Sequence, residues 1–253
     1  MSFPYAIALS YDAAKATFIA KGTTPLGTVG VDPEGNAYHY CLAGAVDLVA
    51  GTFTTLITTP VNEQTVTVAH AVGTRTVTLT SGSTTLNQFQ NGHIVVTAGA
   101  DNGSIYRIRS NSVDVANIAT FVLQNESGLN AAWSTTTTDV DIFENPFNDQ
   151  VVCPVDGQQL AVAVSQTAVT LANYYWGLYE GYGTVQIDSN AQAAGLELDE
   201  KVLNQSLNHA GQAFVDGTPD ATALLVGYRQ ILGYLLTEAD VVDNEWEYAR
   251  IRL

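Results

Sequence analysis

Thr65-Val66-Thr67-Val68 and Thr74-Arg75-Thr76-Val77-Thr78-Leu79-Thr80 place threonine at every second position, with larger side chains between. A period of two sends alternate side chains to opposite faces of an extended chain, so each run predicts a strand with one buried and one wet face. Ala71-Val72-Gly73 predicts the hairpin connection between them. Working outward, the interval bounded by Pro60 and Pro146 predicts further strands at His93 to Ala98, Ser104 to Arg109 and Thr120 to Gln124. Turn signals at Gly99 to Gly103 and Asn125 to Asn130 separate them. Thr84 to Gln90 predicts one short helix before Asn91-Gly92. The interval reads as a small β domain inserted at residues 61–145.

The flanks carry the same signature. Residues 1–60 hold an apolar opening, Phe3 to Leu9, an alanine-rich stretch, Asp12 to Ala20, and the turn Asp32-Pro33-Glu34-Gly35-Asn36. Pro33 presets φ at the second turn position and Gly35 tolerates positive φ. Tyr38 to Leu42 predicts a strand, and Ala45 to Leu56 predicts two short strands with a bend at Gly51. In residues 146–253, Leu160, Val162 and Val164 alternate with alanine. Asn173 to Gly183 is aromatic, and Thr184 to Ile187, Asp220 to Leu236 and Glu245 to Leu253 are strand-like. The longest helix candidate is Gln192 to Gln205, which Gly195 interrupts. The predicted class is all-β, with multi-stranded sandwich or barrel-like domains and few short helices. Residues 1–60 form an N-terminal arm and strands that pack with a C-terminal β domain of residues 146–253.

Composition narrows the function. The 253 residues include 25 acidic and 9 basic side chains, a formal charge of -16, with 46% hydrophobic residues and 13% charged. Nine scattered cations cannot neutralise a phosphate backbone, so nucleic acid is not an expected partner. The apolar fraction excludes wholesale disorder. Charge at half the usual ~25% leaves a neutral, hydroxyl-rich surface with few side chains whose desolvation would oppose docking. The N-terminus predicts no signal peptide and no window predicts a membrane span. Synthesis in a reducing cytoplasm follows, which makes the N-x-S/T triplets at Asn102, Asn125 and Asn204 chance matches. Cys41 and Cys153 form no CxxC pair and read as isolated buried thiols, with a long-range disulfide or a metal site as the alternatives.

Catalytic patterns are absent from the sequence. Ser81-Gly82-Ser83 is a loop and not a nucleophile elbow. His39, His70, His93 and His209 share no metal spacing. His39 and Cys41 flank Tyr40 on one strand face and could touch a metal, but no further ligands accompany them. Gly177 to Gly183 fits neither the dinucleotide nor the P-loop spacing. Asp139 and Asp141 share a strand face with Glu144 and Asn145 close behind, but without the twelve-residue calcium pattern they predict a solvated face. Glu197, Asp199 and Glu200 are likewise expected to be exposed. No catalytic residue, cofactor or metal is predicted, and the chain is not expected to be an enzyme. The interaction candidates are Tyr174, Tyr175, Trp176, Tyr179 and Tyr182, which combine apolar area with polar tips. Phe3, Pro4 and Tyr5 join them as an apolar segment able to add to a neighbouring chain.

Asp32-Pro33-Glu34-Gly35-Asn36-Ala37-Tyr38-His39-Tyr40, followed by Ala43-Gly44-Ala45-Val46-Asp47-Leu48-Val49-Ala50-Gly51, resembles an opening in head decoration, or cement, proteins of tailed bacteriophages. Gly92-His93-Ile94-Val95-Val96, Tyr106-Arg107-Ile108-Arg109-Ser110-Asn111, Asn145-Pro146-Phe147-Asn148, Tyr174-Tyr175-Trp176-Gly177-Leu178 and Gly183-Thr184-Val185 are similar and in similar order. The resemblance implies a virion structural protein on the outer surface of the capsid, made in the host cytoplasm. Its partners would be the major capsid protein, whose subunits it bridges against internal DNA pressure, and itself, as a homo-oligomer (dimer or trimer). It implies no nucleic acid and no membrane partner. This chain is longer than the compact decoration domains, so residues 61–145 would be an outward domain or part of the clamp. The alternatives are a tail-fibre or receptor-binding module, and a β-sandwich carbohydrate-binding protein or glycosidase using Tyr and Trp as sugar platforms and Asp139 or Asp141 as acids.

Overall fold

A computed structural model describes residues 6–20, 22–56, 61–154, 160–186, 202–205, 213–215, 231–235 and 246–253. Phe3, Pro4, Tyr5, Glu197, Asp199, Glu200 and His209 lie outside the described residues. The chain divides into two compact units, Met1–Ile57 with Pro146–Leu253, and Thr58–Asn145. The first unit opens with β1 (Ile7–Ala8), α1 (Tyr11–Ala14), β2 (Thr17–Phe18), β3 (Val29–Val31), β4 (Ala37–Leu42) and β5 (Phe53–Leu56). The second unit holds β6 (Val61–Thr65), β7 (Thr76–Thr80), β8 (His93–Val96), β9 (Ile105–Asn111), β10 (Ile118–Leu123) and β11 (Asp139–Phe143). The first unit resumes with β12 (Gln150–Val152), β13 (Ala163–Ser165), β14 (Tyr174–Gln186), β15 (Val202–Gln205), β16 (Ala213–Val215), β17 (Ile231–Leu235) and β18 (Trp246–Arg252). The fold is all-β, and α1 is the one helix among the described residues.

β14 is the spine of the first unit. Its first half pairs with β4, from Tyr174↔Leu42 to Glu180↔Ala37, and its second half with β18, from Glu180↔Arg252 to Gln186↔Trp246. It also pairs with β2 and β13, and β13 leads through β5 to β12. Four consecutive buried residues, Tyr175 to Leu178, follow from this crowding. Trp176 and Leu178 enter a core with Tyr38, Tyr40, Phe53 and Val164. Tyr175 enters a second core with Cys41, Leu48 and Val169. With both faces of the strand covered, aromatic residues can succeed one another where a half-wet strand would alternate. Each such side chain contributes about 1.5–3 kcal/mol on burial. Past Gly181 the alternation returns: Val185, Ala249 and Ile251 are buried, whereas Tyr182 and Tyr248 are exposed.

The second unit is an antiparallel sheet in the order β6-β11-β8-β9-β10-β7. Val77, Leu79, Ile94, Val96, Tyr106, Ile108, Phe121, Leu123, Val140 and Ile142 fill its inner face at every second position. The sheet curls until its outer strands approach at a Val66↔Leu79 bridge.

Several expectations need correction. Val68 is 57% exposed and not on the buried face. After Thr67 the chain leaves β7, because His70 exchanges backbone hydrogen bonds with Trp133 at 3.0 and 2.9 Å. The His70 Nε2 then accepts the Thr78 N–H at 3.0 Å, filling the vacated ladder position. The connection is therefore a wide loop and not a three-residue turn. Thr84 to Gln90 forms turns and no helix. There, side chains displace helical carbonyls: Gln88 Oε1 accepts the Thr85 N–H and Asn111 Oδ1 accepts the Phe89 N–H. Val202–Gln205 is a strand, so the candidate helix does not extend over those residues; residues 192–201 lie outside the described residues. Ala45 to Leu56 yields one strand, β5, and a single bridge from Leu48 to Val169.

Candidate functional site

The turn at Asp32 organises a concave polar surface of the first unit. Asp32 Oδ1 accepts the backbone N–H groups of Glu34 and Asn36, both at 2.9 Å. Its Oδ2 accepts from the Asn36 side-chain amide at 2.8 Å and from the Tyr38 hydroxyl at 3.0 Å. Only 5% of Asp32 is exposed. Burial pushes its pKa up, but the Asn36, Tyr38 and Glu34 donors outweigh burial and hold the carboxyl below its usual range. Burial and the Asp32 charge raise the Tyr38 phenol.

Four other segments converge on this turn. β14 arrives through Asn36 Oδ1, which accepts the Tyr182 N–H at 2.8 Å. Gly181 adopts φ +128 beside it, and a Cβ there would meet Asn36 Oδ1 at 2.3 Å, so close approach requires glycine. The Gln166 amide brackets Thr184, donating to its carbonyl at 3.1 Å and accepting its N–H at 3.0 Å. β18 sets Tyr248 beside Tyr182, with ring centroids 6.0 Å apart and 18° between planes. Ser10 caps α1 by accepting the Ala13 N–H at 3.1 Å, and the helix presents Tyr11 and, just beyond its last turn, Lys15. The neighbouring Glu34 carboxylate, ahead of burial, pushes the Tyr11 phenol up to about 12. The resulting pocket is about 210 Å³, with Asp32, Asn36 and Tyr38 buried at its base and Tyr11, Glu34, Tyr182 and Tyr248 exposed around it.

The sequence-derived interaction residues scatter from this site. Tyr175 is fully buried, its hydroxyl sharing a hydrogen bond with Thr54 Oγ1 at 3.1 Å. Trp176 is also core; neither is a surface anchor, because both faces of β14 are covered there. Tyr174 is half-buried and stacks on Tyr40 at 5.7 Å. Tyr179 is half-buried and stacks on His39 at 4.1 Å. Tyr182 alone of that group reaches the pocket. Tyr11, Asp32, Glu34, Asn36 and Tyr248 are site residues that the sequence did not single out. The signal for three of them was the Asp32 turn, read there only as a reversal.

The other candidates resolve into structure. His39 lies between Phe147 and Tyr179, and burial lowers its pKa, with the Gly27 carbonyl acting the other way. Cys41 and Cys153 are buried thiols that form no disulfide, and burial pushes Cys41 up to about 12. In the second unit an open hollow of about 630 Å³ is lined by Asn62, Glu63, Thr65, Thr97, Ala98, Asp139 and Asp141. Glu144 and Asn145 are buried and do not extend that carboxylate face; Glu144 accepts from Gln88 Nε2 at 2.6 Å. Among the described residues no three His, Cys, Asp or Glu side chains converge as metal ligands. Comparison of the chain with protein-family models, characterised proteins and solved structures finds no match.

Proposed function

We propose that this chain is a virion structural protein, a capsid decoration or cement protein that binds the outside of a phage head. It bridges major capsid protein subunits and so stabilises the shell against internal DNA pressure, acting as a homo-oligomer and without catalysis. The observation that carries this reading is that each of the two units displays its own group of exposed aliphatic side chains.

On the first unit, Leu48 bridges Val169 and the Leu171 N–H donates to the Asp47 carboxylate at 2.7 Å. This leaves Val46, Val49 and Leu171 about half exposed on neighbouring loops. On the second unit, Val115 and Ile118 exchange backbone hydrogen bonds at 2.9 and 3.1 Å. They close a two-residue turn in which Ala116 and Asn117 both adopt positive φ, at 55 and 63. Val115 is 77% exposed at that tip. Val113 and Leu86 join it, because the Asp114 N–H donates to the Thr84 carbonyl at 3.0 Å.

Exposed aliphatic groups on a surface poor in charge dock with little desolvation cost. Two such groups on one chain act at high effective concentration once either is bound, so weak contacts add up to slow release. The charge of -16 opposes capture of packaged DNA. The test is co-sedimentation of the purified chain with expanded and precursor shells, followed by thermal rupture of the decorated particles. Saturable binding to expanded shells with a raised rupture temperature is expected. Equal binding to both shell forms, or no change in rupture, would overturn the reading.

A further inference from the structure

We propose that the pocket around Asp32, Glu34, Tyr38, Tyr182 and Tyr248 is a receptor for an arginine side chain presented by the protein on which this chain docks. The source of the arginine rests on the docking reading above, whereas the chemistry of the pocket does not. At about 210 Å³ the pocket is smaller than the ~300–1,000 Å³ that holds a drug-sized ligand, and suits one long side chain.

Its hydrogen-bonding character follows from where the protons already are. The Tyr38 hydroxyl gives its proton to Asp32. A phenol so engaged keeps only lone pairs for a ligand, and an ionised carboxylate is acceptor-only. The backbone and amide donors nearest the base are also occupied, the Tyr182 N–H by Asn36 and the Thr184 N–H by Gln166. Asp32 already accepts four hydrogen bonds and so contributes its charge, while the Glu34 carboxylate and the Tyr38 hydroxyl are left to accept from a ligand; among the described lining residues Lys15 alone opposes the two carboxylates. A guanidinium brings five donors in a plane and a permanent positive charge, and is more weakly hydrated than an ammonium. Tyr182 and Tyr248, each 46% exposed and nearly parallel, supply flat rings for that plane to lie against. An anion would meet two carboxylates. A neutral sugar would use the rings and gain nothing from the charge.

The full chain is titrated with N-acetyl-arginine amide, with N-acetyl-citrulline amide as the uncharged isostere, and with methyl glucoside and inorganic phosphate. Calorimetry and tyrosine ring resonances report binding. The arginine probe is expected to bind about tenfold or more tightly than the citrulline probe, since charge-assisted bonds are roughly twice as strong as neutral ones. Glu34→Gln should remove that preference, and Lys15→Ala should tighten arginine binding several-fold by deleting the opposing cation. Equal affinity for arginine and citrulline overturns the proposal, as does Lys15→Ala weakening the complex. Tighter binding of methyl glucoside assigns the pocket to a saccharide, and binding of phosphate assigns it to an anion; either result overturns it. The two readings fail separately: a chain that binds the arginine probe but no shell keeps the pocket and loses the docking role. A chain that binds shells but discriminates no probe loses the pocket alone.

Discussion

Asn36 Oδ1 accepts the Tyr182 backbone N–H at 2.8 Å across 146 residues of sequence, and so fastens the Asp32 turn to the middle of β14. The contact depends on Gly181, whose Cβ position is already filled by Asn36. Gly181→Ala combines that overlap with a strained φ and should destabilise the first unit by about 2–3 kcal/mol. Asn36→Ala should cost about 1 kcal/mol, the worth of a hydrogen bond. Urea denaturation measures both; a Gly181→Ala chain as stable as the parent would show that the approach of turn and strand is slack.

Asp101 fixes the inside of the second unit. Its carboxylate accepts from Ser104 Oγ at 2.7 Å, from the Tyr106 hydroxyl, and from Trp133 Nε1 at 3.0 Å. Burial acts to raise its pKa, yet the Tyr106, Ser104 and Trp133 donors hold it below the ordinary value. A carboxyl with a lower pKa folded than unfolded stabilises above its unfolded pKa of about 4, and that stabilisation fades as pH falls through the folded value. Asp101→Asn should therefore cost about 2–4 kcal/mol at neutral pH, and the gap from the parent should shrink below about pH 4. Denaturation midpoints of both proteins across that range decide the matter; a constant gap would remove the ionised carboxylate from the explanation.

Val115→Asp and Val46→Asp test whether adhesion is shared between the units. Each places a charge where the docking reading buries an aliphatic group, and neither side chain supports a core. Each should leave thermal stability within about 0.5 kcal/mol and weaken shell retention by about tenfold or more. Retention is read from wash-off kinetics, and parental retention in both variants would count against bivalent attachment.

The two thiols should be chemically silent in the folded chain. Both are buried, and burial raises Cys41 to about 12, which leaves almost no thiolate at pH 8. Ellman's reagent should label neither cysteine until denaturant is added and both thereafter. Rapid native labelling of Cys41 would mean that the core around Tyr175 opens readily.

The class of the fold was legible because period-two alternation survives wherever one sheet face is wet, as in Thr76–Thr80 and Asp139–Phe143. The aromatic run at Tyr174 to Trp176 was legible as important and ambiguous as to place, since a strand covered on both faces has no alternation to read. Turn chemistry explains the helix misreading: Asn87 and Asn91 adopt φ 58 and 64, which no helix permits. The pocket was not legible because its walls come from α1, the Asp32 turn, β14 and β18, and nothing local to any of them announces that they meet. Tyr248 in particular is an ordinary strand residue until β18 pairs Thr184 with it.

The pairing of β5 with β12 reaches further than its three register partners. Leu56, near the last residue before the second unit, lies directly opposite Gln150, just after its end. The departing and returning segments thus form the stem of a hairpin whose tip has been replaced by a whole domain. A stem of this kind can be closed by an ordinary tight turn or by some other module without altering the register beneath it. The architecture accordingly permits the inserted part to be exchanged, lengthened or deleted by recombination at a single locus while the scaffold below keeps its fold.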